Sequence, residues 1–445
     1  MANSPKKFSL KTSNWVFSTL KSLFAPGGTY RRHSRVAKSK TWLRVTELED
    51  RLTPTTLHWL GSSGANGNLW SVASNWLEDQ APVSGDQLVF DSAVPGFSAS
   101  SNGFGPTNDL AGLTNLVIGI NNSSSTSDFT ISGDSFGLTT TAGIGITCTV
   151  SSGTSSAEVI DNNITLDANT TVQVGLGSLT LGGVISGGYT LTADGVPSST
   201  LTLNAANTYT GGTVLTSGTV AVNTDTSLGS GLLTFNGGTL SDAGAFLDVP
   251  NDFNVTAPST IGGGGFFTLN GDGTLNANLA LDNSGFLTLN GALSGPGGMS
   301  EIGFPGSTTL GGTTPNTFTG GLAIIDGGIS LDKTPGVNAV VSPISVTETF
   351  ASLSLSASDQ INGTTSIYLG QGASFSLGSY SDTVTSVTGL GGIDLSFSSS
   401  NLTISGGGNQ LLTGSVSGSG SLTYDGTGTL TLAGASSSYS GTLLA

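Results

Sequence analysis

The sequence predicts an all-β protein, a right-handed parallel β-helix or β-solenoid. Three observations predict it: short runs that alternate apolar with small polar residues, an excess of glycine over charge, and text that recurs at a spacing near 21 residues. The chain has 445 residues, with 68 glycines and 9% charged residues. An average soluble domain has about 7% glycine and about 25% charge. Beyond residue 51 no window carries apolar residues at helical spacing, and no apolar run is long enough to span a membrane. A series of β-sandwiches is the rival architecture, since it too uses short strands between frequent turns.

Residues 1–52 form a basic leader, expected to be mostly disordered or helical. Eleven of the twelve Lys and Arg lie within the first 51 positions against three acids, a net charge of +8. The remainder carries one lysine, Lys333, and 25 acids, a net charge of −24. Such an arm suits a nucleic-acid or membrane contact, or an export segment outside the fold. The run "RRHSRVAKSKTWLRVTELEDRLTPTT" carries Leu48, Glu49, Asp50 and Arg51 shortly before Pro54. It resembles the leader of large planctomycete-type surface proteins, and that resemblance implies export.

Residues 53–100 are expected to form a cap. Trp59, Trp70 and Trp76 lie within "LHWLGSSGANGNLWSVASNWLEDQ", three of the five tryptophans in the chain. A solenoid end left open exposes core and unpaired edges, which large rings would cover. Exposed tryptophans would instead stack on sugar rings.

Residues 101–445 carry the repeats. In "LTLNAANTYTGGTVLTSGTVAV", Leu201, Leu203, Val220 and Val222 alternate with polar residues, and Gly211-Gly212 break the run as a corner. The segment matches "STTLGGTTPNTFTGG" and "GTLTLAGASSSYSG", which makes Tyr209, Phe318 and Tyr439 one equivalent position. Gly320, Gly321 and Gly441 then correspond to the glycines of the first copy. Upstream, "VISGG", "ALSGPG" and "SVSGSG" place a glycine 22, 23 and 21 residues before the aromatic residue. Stacked coils explain the shortage of charge, because like charges opposite one another destabilise while Thr and Asn ladders do not. At about 20 residues per coil and about 4.8 Å between coils, some 17 coils are expected. The repeats resemble the autotransporter-associated β-strand repeat of bacterial surface and secreted proteins, which implies a parallel β-helix. The text stops at "SYSGTLLA", part-way through a copy, which predicts a fragment or an end covered by another subunit.

Catalytic patterns are sparse. Lyases of the β-helix type resemble one another in using a basic residue, and only Lys333, in "LDKTPG", remains after Arg51. The hydrolase branch shows Asn-Thr-Asp, paired Asp, Gly-His-Gly and Arg-Ile-Lys; here only "NTD" at Asn223–Asp225 occurs. Apart from Glu78-Asp79, no acids are adjacent beyond residue 51. His58, the one histidine after the leader, is expected to pack beside Trp59, and Cys148 to be a buried strand residue. Asp272, Asp282 and Asp425 lie in glycine turns that suit weak, delocalised Ca²⁺ binding without an EF-hand ligand pattern.

The function expected from these features is an exported, non-enzymatic structural or adhesive cell-surface scaffold with no bound cofactor. Its partners would be cell-surface or matrix polysaccharides or other surface proteins, not nucleic acid. The alternatives are a carbohydrate-active β-helix enzyme and a carbohydrate-binding protein centred on the tryptophans.

Overall fold

Residues that alternate in the sequence alternate between core and surface, and each turn of chain lays its strands beside those of the turn before. The computed structural model describes residues 54–445, except 63, 125–126, 151–156, 245 and 435–437. The leader, with Leu48, Glu49, Asp50 and Arg51, lies outside the described residues.

The strands pair in parallel and form a β-solenoid of about 16 turns. Two sheets have 14 strands and a third has nine, with smaller sheets of four and two. Helix among the described residues is confined to single turns at Ala73–Asn75 and Ser101–Phe104. Isolated bridges supply the antiparallel contacts found there, Trp59 to Trp76 and Thr141 to Ile144.

The second sheet shows the register. Leu201 of Thr200–Leu203 pairs with Val220, Val220 with Leu240, Leu240 with Ile261 and Ile261 with Leu281. Leu203 continues to Val222 in the same way. All four predicted inward residues are buried, and one apolar cluster runs from Leu57 to Tyr424. Each buried Leu or Val contributes about 1.5–3 kcal/mol relative to exposure. The intervening Thr200, Thr219, Thr239 and Thr260 form an outward file on the same sheet. A period of two thus separates core from outer face in every coil.

The stack begins early. Thr56–His58 pairs with Gln87–Asp91, which pairs with Leu113–Asn122, so sheet continuity already exists within the tryptophan segment. The third sheet begins at Phe246–Val249 and continues through Phe266–Leu269, Phe286–Leu289, Ser307–Gly312 and Gly328–Lys333.

Candidate functional site

The recurring motif is a way of fastening one coil to the next. Thr208 and Thr210, which flank Tyr209, donate their N–H groups to the carbonyls of Ile185 and Gly187 at 2.8 and 3.0 Å. Thr317 and Thr319, around Phe318, do the same to Leu293 and Gly295 at 2.7 and 3.0 Å. At Tyr439, Gly418 donates to Ser438 and Ser440 donates back to Gly418. The spacing of 21 to 23 residues seen in the sequence is therefore one coil.

Tyr209 and Phe318 are fully buried, and Tyr439 packs against the core while part-exposed. The Tyr209 hydroxyl lies 2.5 Å from Thr213 Oγ1, which itself donates to the Leu228 carbonyl at 2.9 Å. Burial raises the phenol's pKa, with the Thr213 hydrogen bond partly opposing it. Gly212 and Gly321 turn the corner with φ of +89° and +92°. Gly211, Gly320 and Gly441 serve another purpose: a Cβ there would collide with backbone of the preceding coil, at Tyr189, Gly297 and Gly420 respectively.

The copies do not occupy one side of the solenoid. The Tyr209 copy feeds Thr213–Leu215 into the first sheet and Thr219–Val222 into the second. The Phe318 copy feeds Leu322–Ile324 into the second and Gly328–Lys333 into the third. A local motif has been rotated by one side along the stack.

Sequence reasoning missed the asparagine two positions before the aromatic residue. Asn207 accepts from the Ile185 N–H at 2.7 Å and donates to the Ser227 carbonyl at 2.6 Å. Asn316 accepts from Leu293 at 2.8 Å and donates to Ala339 at 2.9 Å. Each side chain is buried and joins the coil before it to the coil after it. The signal was present in the aligned "NTY" and "NTF".

Trp59, Trp70 and Trp76 are buried, so none offers a face to a sugar. Their rings meet edge to face, Trp59–Trp76 at 5.0 Å and Trp70–Trp76 at 6.1 Å, and Phe90 joins all three. Trp59 Nε1 donates to the Gly103 carbonyl at 2.8 Å and Trp76 Nε1 to the Trp70 carbonyl at 2.9 Å. Their neighbour His58 is half-buried and pairs through Nδ1 with Glu78 Oε1 at 2.7 Å, at the rim of the cluster rather than inside it.

The residues considered for chemistry are dispersed. Asp225 is exposed, and its Oδ1 accepts the Asp248 N–H at 2.9 Å. Lys333 is buried, and its Nζ donates to the Gly311 and Gly291 carbonyls at 2.7 and 3.3 Å. Burial lowers its pKa to about 8. Cys148 is buried on Ile144–Val150, and burial, reinforced by Glu158, pushes its thiol up to about 12. Asp272 works as a coil link: it accepts the Ala292 N–H at 2.7 Å while its own N–H donates to Asp252 at 2.9 Å. Asp282 is exposed but sits on the strand Leu279–Asn283, paired with Gly262, rather than in the glycine turn expected, because the alternating run continues through it; Asp425 follows Ser421–Tyr424. Among the described residues no three His, Cys, Asp or Glu side chains gather into a metal-binding group.

Sequence reasoning missed several buried carboxyl groups, Glu158, Glu301 and Asp382 among them. Glu158 accepts from Asn122 and the Phe129 N–H, Glu301 from Thr308 and the Gly303 N–H, and Asp382 from the Gln360, Ile361 and Thr383 N–H groups. Burial raises each pKa to about 7 despite these bonds.

The outer faces carry shallow clefts of hydroxyl and amide groups. One of about 330 Å³ is lined in part by Ser217, Thr239, Thr260 and Asn278. Another of about 650 Å³ is lined in part by Asp332, Thr334, Ser356, Ser358 and Tyr380. Among the described residues no helix is long and apolar enough to cross a membrane. No family model, curated protein or solved structure matches the chain.

Proposed function

We propose that the protein is an exported structural or adhesive scaffold of a bacterial cell surface, of the autotransporter-associated repeat type, acting without catalysis. The observation that carries this reading is the division of labour within each coil. Inward residues make one continuous core, and outward residues are left as files of Thr, Ser and Asn such as Thr200–Thr219–Thr239–Thr260. Repetition makes many weak contacts simultaneous, so modest affinity per coil becomes useful avidity toward a matrix polysaccharide or another surface protein. The basic leader with Leu48, Glu49, Asp50 and Arg51 supports export, and the exposed acids Asp272, Asp282 and Asp425 support weak Ca²⁺ binding.

The test uses antibodies against the solenoid on intact cells of the producing bacterium, with the full-length protein run on polysaccharide columns in parallel. Labelling of unpermeabilised cells and retention on at least one column are expected. Labelling only after permeabilisation overturns the surface assignment. Release of reducing ends by the wild type but not by Asp225→Ala overturns the non-catalytic one.

A further inference from the structure

One corner of the solenoid, between the second and third sheets, gathers exposed aromatic rings in register. Phe246, Phe266 and Phe286 occupy successive positions of the third sheet in direct register. Their side chains point outward and are 77%, 48% and 56% exposed. The rings stack at 4.5 Å and 11°, then at 4.9 Å and 17°. Further along the same corner, Phe304 and Phe350 are 58% and 71% exposed and meet at 5.8 Å. Ile302, Ile325 and Leu390 extend the line. At about 150–250 Å² per aromatic side chain, the five rings alone expose roughly 600 Å². That is the upper end for the largest apolar patch of a soluble monomer, about 300–600 Å², and approaches the roughly 800 Å² that one partner contributes to a standard interface.

The surroundings choose the occupant. Asp248, Asp282 and Glu348 are exposed on the coils that carry the rings, Asp225 is exposed on the coil before Phe246, and Lys333, the one Lys or Arg after residue 51, is buried. Asp248 lies two residues from Phe246, hence on the same outward face, and Asp225 accepts its N–H. The outer face of Phe246 therefore borders two carboxylates, a setting suited to a guanidinium or ammonium group. A flat sugar ring is a poor fit, because both faces of Phe266 are covered by its neighbours. A second copy of this chain would bring the same acids face to face, which costs affinity.

We propose that this corner docks a cationic amphipathic polypeptide. Its apolar side chains lie against the Phe246–Phe266–Phe286 stack and the Phe304–Phe350 pair, and its Lys or Arg groups meet Asp248, Asp282 and Glu348. The site stands apart from the polysaccharide contacts proposed above and does not rest on export.

The test titrates the full-length protein with a synthetic peptide of alternating Leu and Lys, and with a Ser–Lys peptide of equal charge, at low and high salt. The Leu–Lys peptide is expected to bind about tenfold more tightly, a difference of about 1.4 kcal/mol. Phe246→Ser/Phe266→Ser/Phe286→Ser should abolish that difference while the protein still melts in one cooperative transition at a modestly lower temperature, and Asp248→Asn/Glu348→Gln should flatten the salt dependence. Thr219→Ser on the second sheet should change neither. Equal binding of the two peptides, or a triple variant that binds like the wild type, overturns the proposal. So does self-association of the protein in sedimentation that the triple variant abolishes, because the occupant is then a second copy.

Discussion

The tryptophan cluster at the start of the stack and the phenylalanine stack at the corner both gather aromatic rings, in opposite ways. Trp59, Trp70 and Trp76 turn inward and meet edge to face around Phe90. Phe246, Phe266 and Phe286 turn outward and lie nearly parallel, because register stacks identical residues directly over one another. Inside the coil, rings are shaped by the core they fill; outside, by the repeat alone. Interior positions should therefore govern stability, and exterior ones should be free to serve contacts.

The largest effect expected from that contrast is at Trp76. Trp76→Ala removes a buried ring and its Nε1 bond to Trp70, at a cost of about 3–5 kcal/mol. Limited proteolysis should then begin in the first coils. Next comes Asn316→Ala, which strands the Leu293 N–H and the Ala339 carbonyl in the core. A loss of about 1–3 kcal/mol in denaturant melts is expected.

The buried carboxyl groups sharpen the contrast through pH. Glu301 has its pKa raised by burial from an ordinary 4.5 to about 7, so the folded state holds its proton more tightly than the unfolded chain. Its contribution is complete below about pH 4.5 and is lost as pH rises through about 7. Glu158 and Asp382 act in the same direction. The melting temperature should fall between pH 5 and pH 8, and Glu301→Gln, which keeps an acceptor for Thr308, should flatten part of that slope. A melting temperature that rises over this range contradicts the burial of these groups.

Smallest is Phe266→Ser. It removes an exposed stacked ring, and about 0.5–1 kcal/mol is expected in the same melts. A loss as large as that of Trp76→Ala would erase the distinction between inner and outer rings.

The parallel solenoid was legible because its rules are local. Alternation at Leu201, Leu203, Val220 and Val222 encodes the inner face, and the offset from Gly187 to Tyr209 encodes the length of a coil. The phenylalanine corner was hidden for a related reason. Phe246, Phe266 and Phe286 recur at a coil's spacing, but composition cannot say whether a ring in an alternating run faces in or out; "FF" at Phe266-Phe267 places one on each side. Asn207 and Asn316 resemble loop residues, and only the third dimension shows them bridging three coils. Glu158, Glu301 and Asp382 break the rule that acids face water, so no pattern of alternation could mark them. The side of the solenoid taken by each motif copy was equally illegible, since small changes in coil length accumulate until the motif has moved one sheet round.

The measurement that tests the stacked-coil account most directly is a set of spin-label distances along the outward file of the second sheet, taken in a Cys148→Ser background. Counting registers from Thr200, Ala280 is four coils away, Ser345 seven and Thr388 nine. Distances of about 19, 34 and 43 Å are predicted, rising linearly at about 4.8 Å per coil. Distances that depart from this constant step per coil, as in a row of separate sandwiches, would contradict the stack.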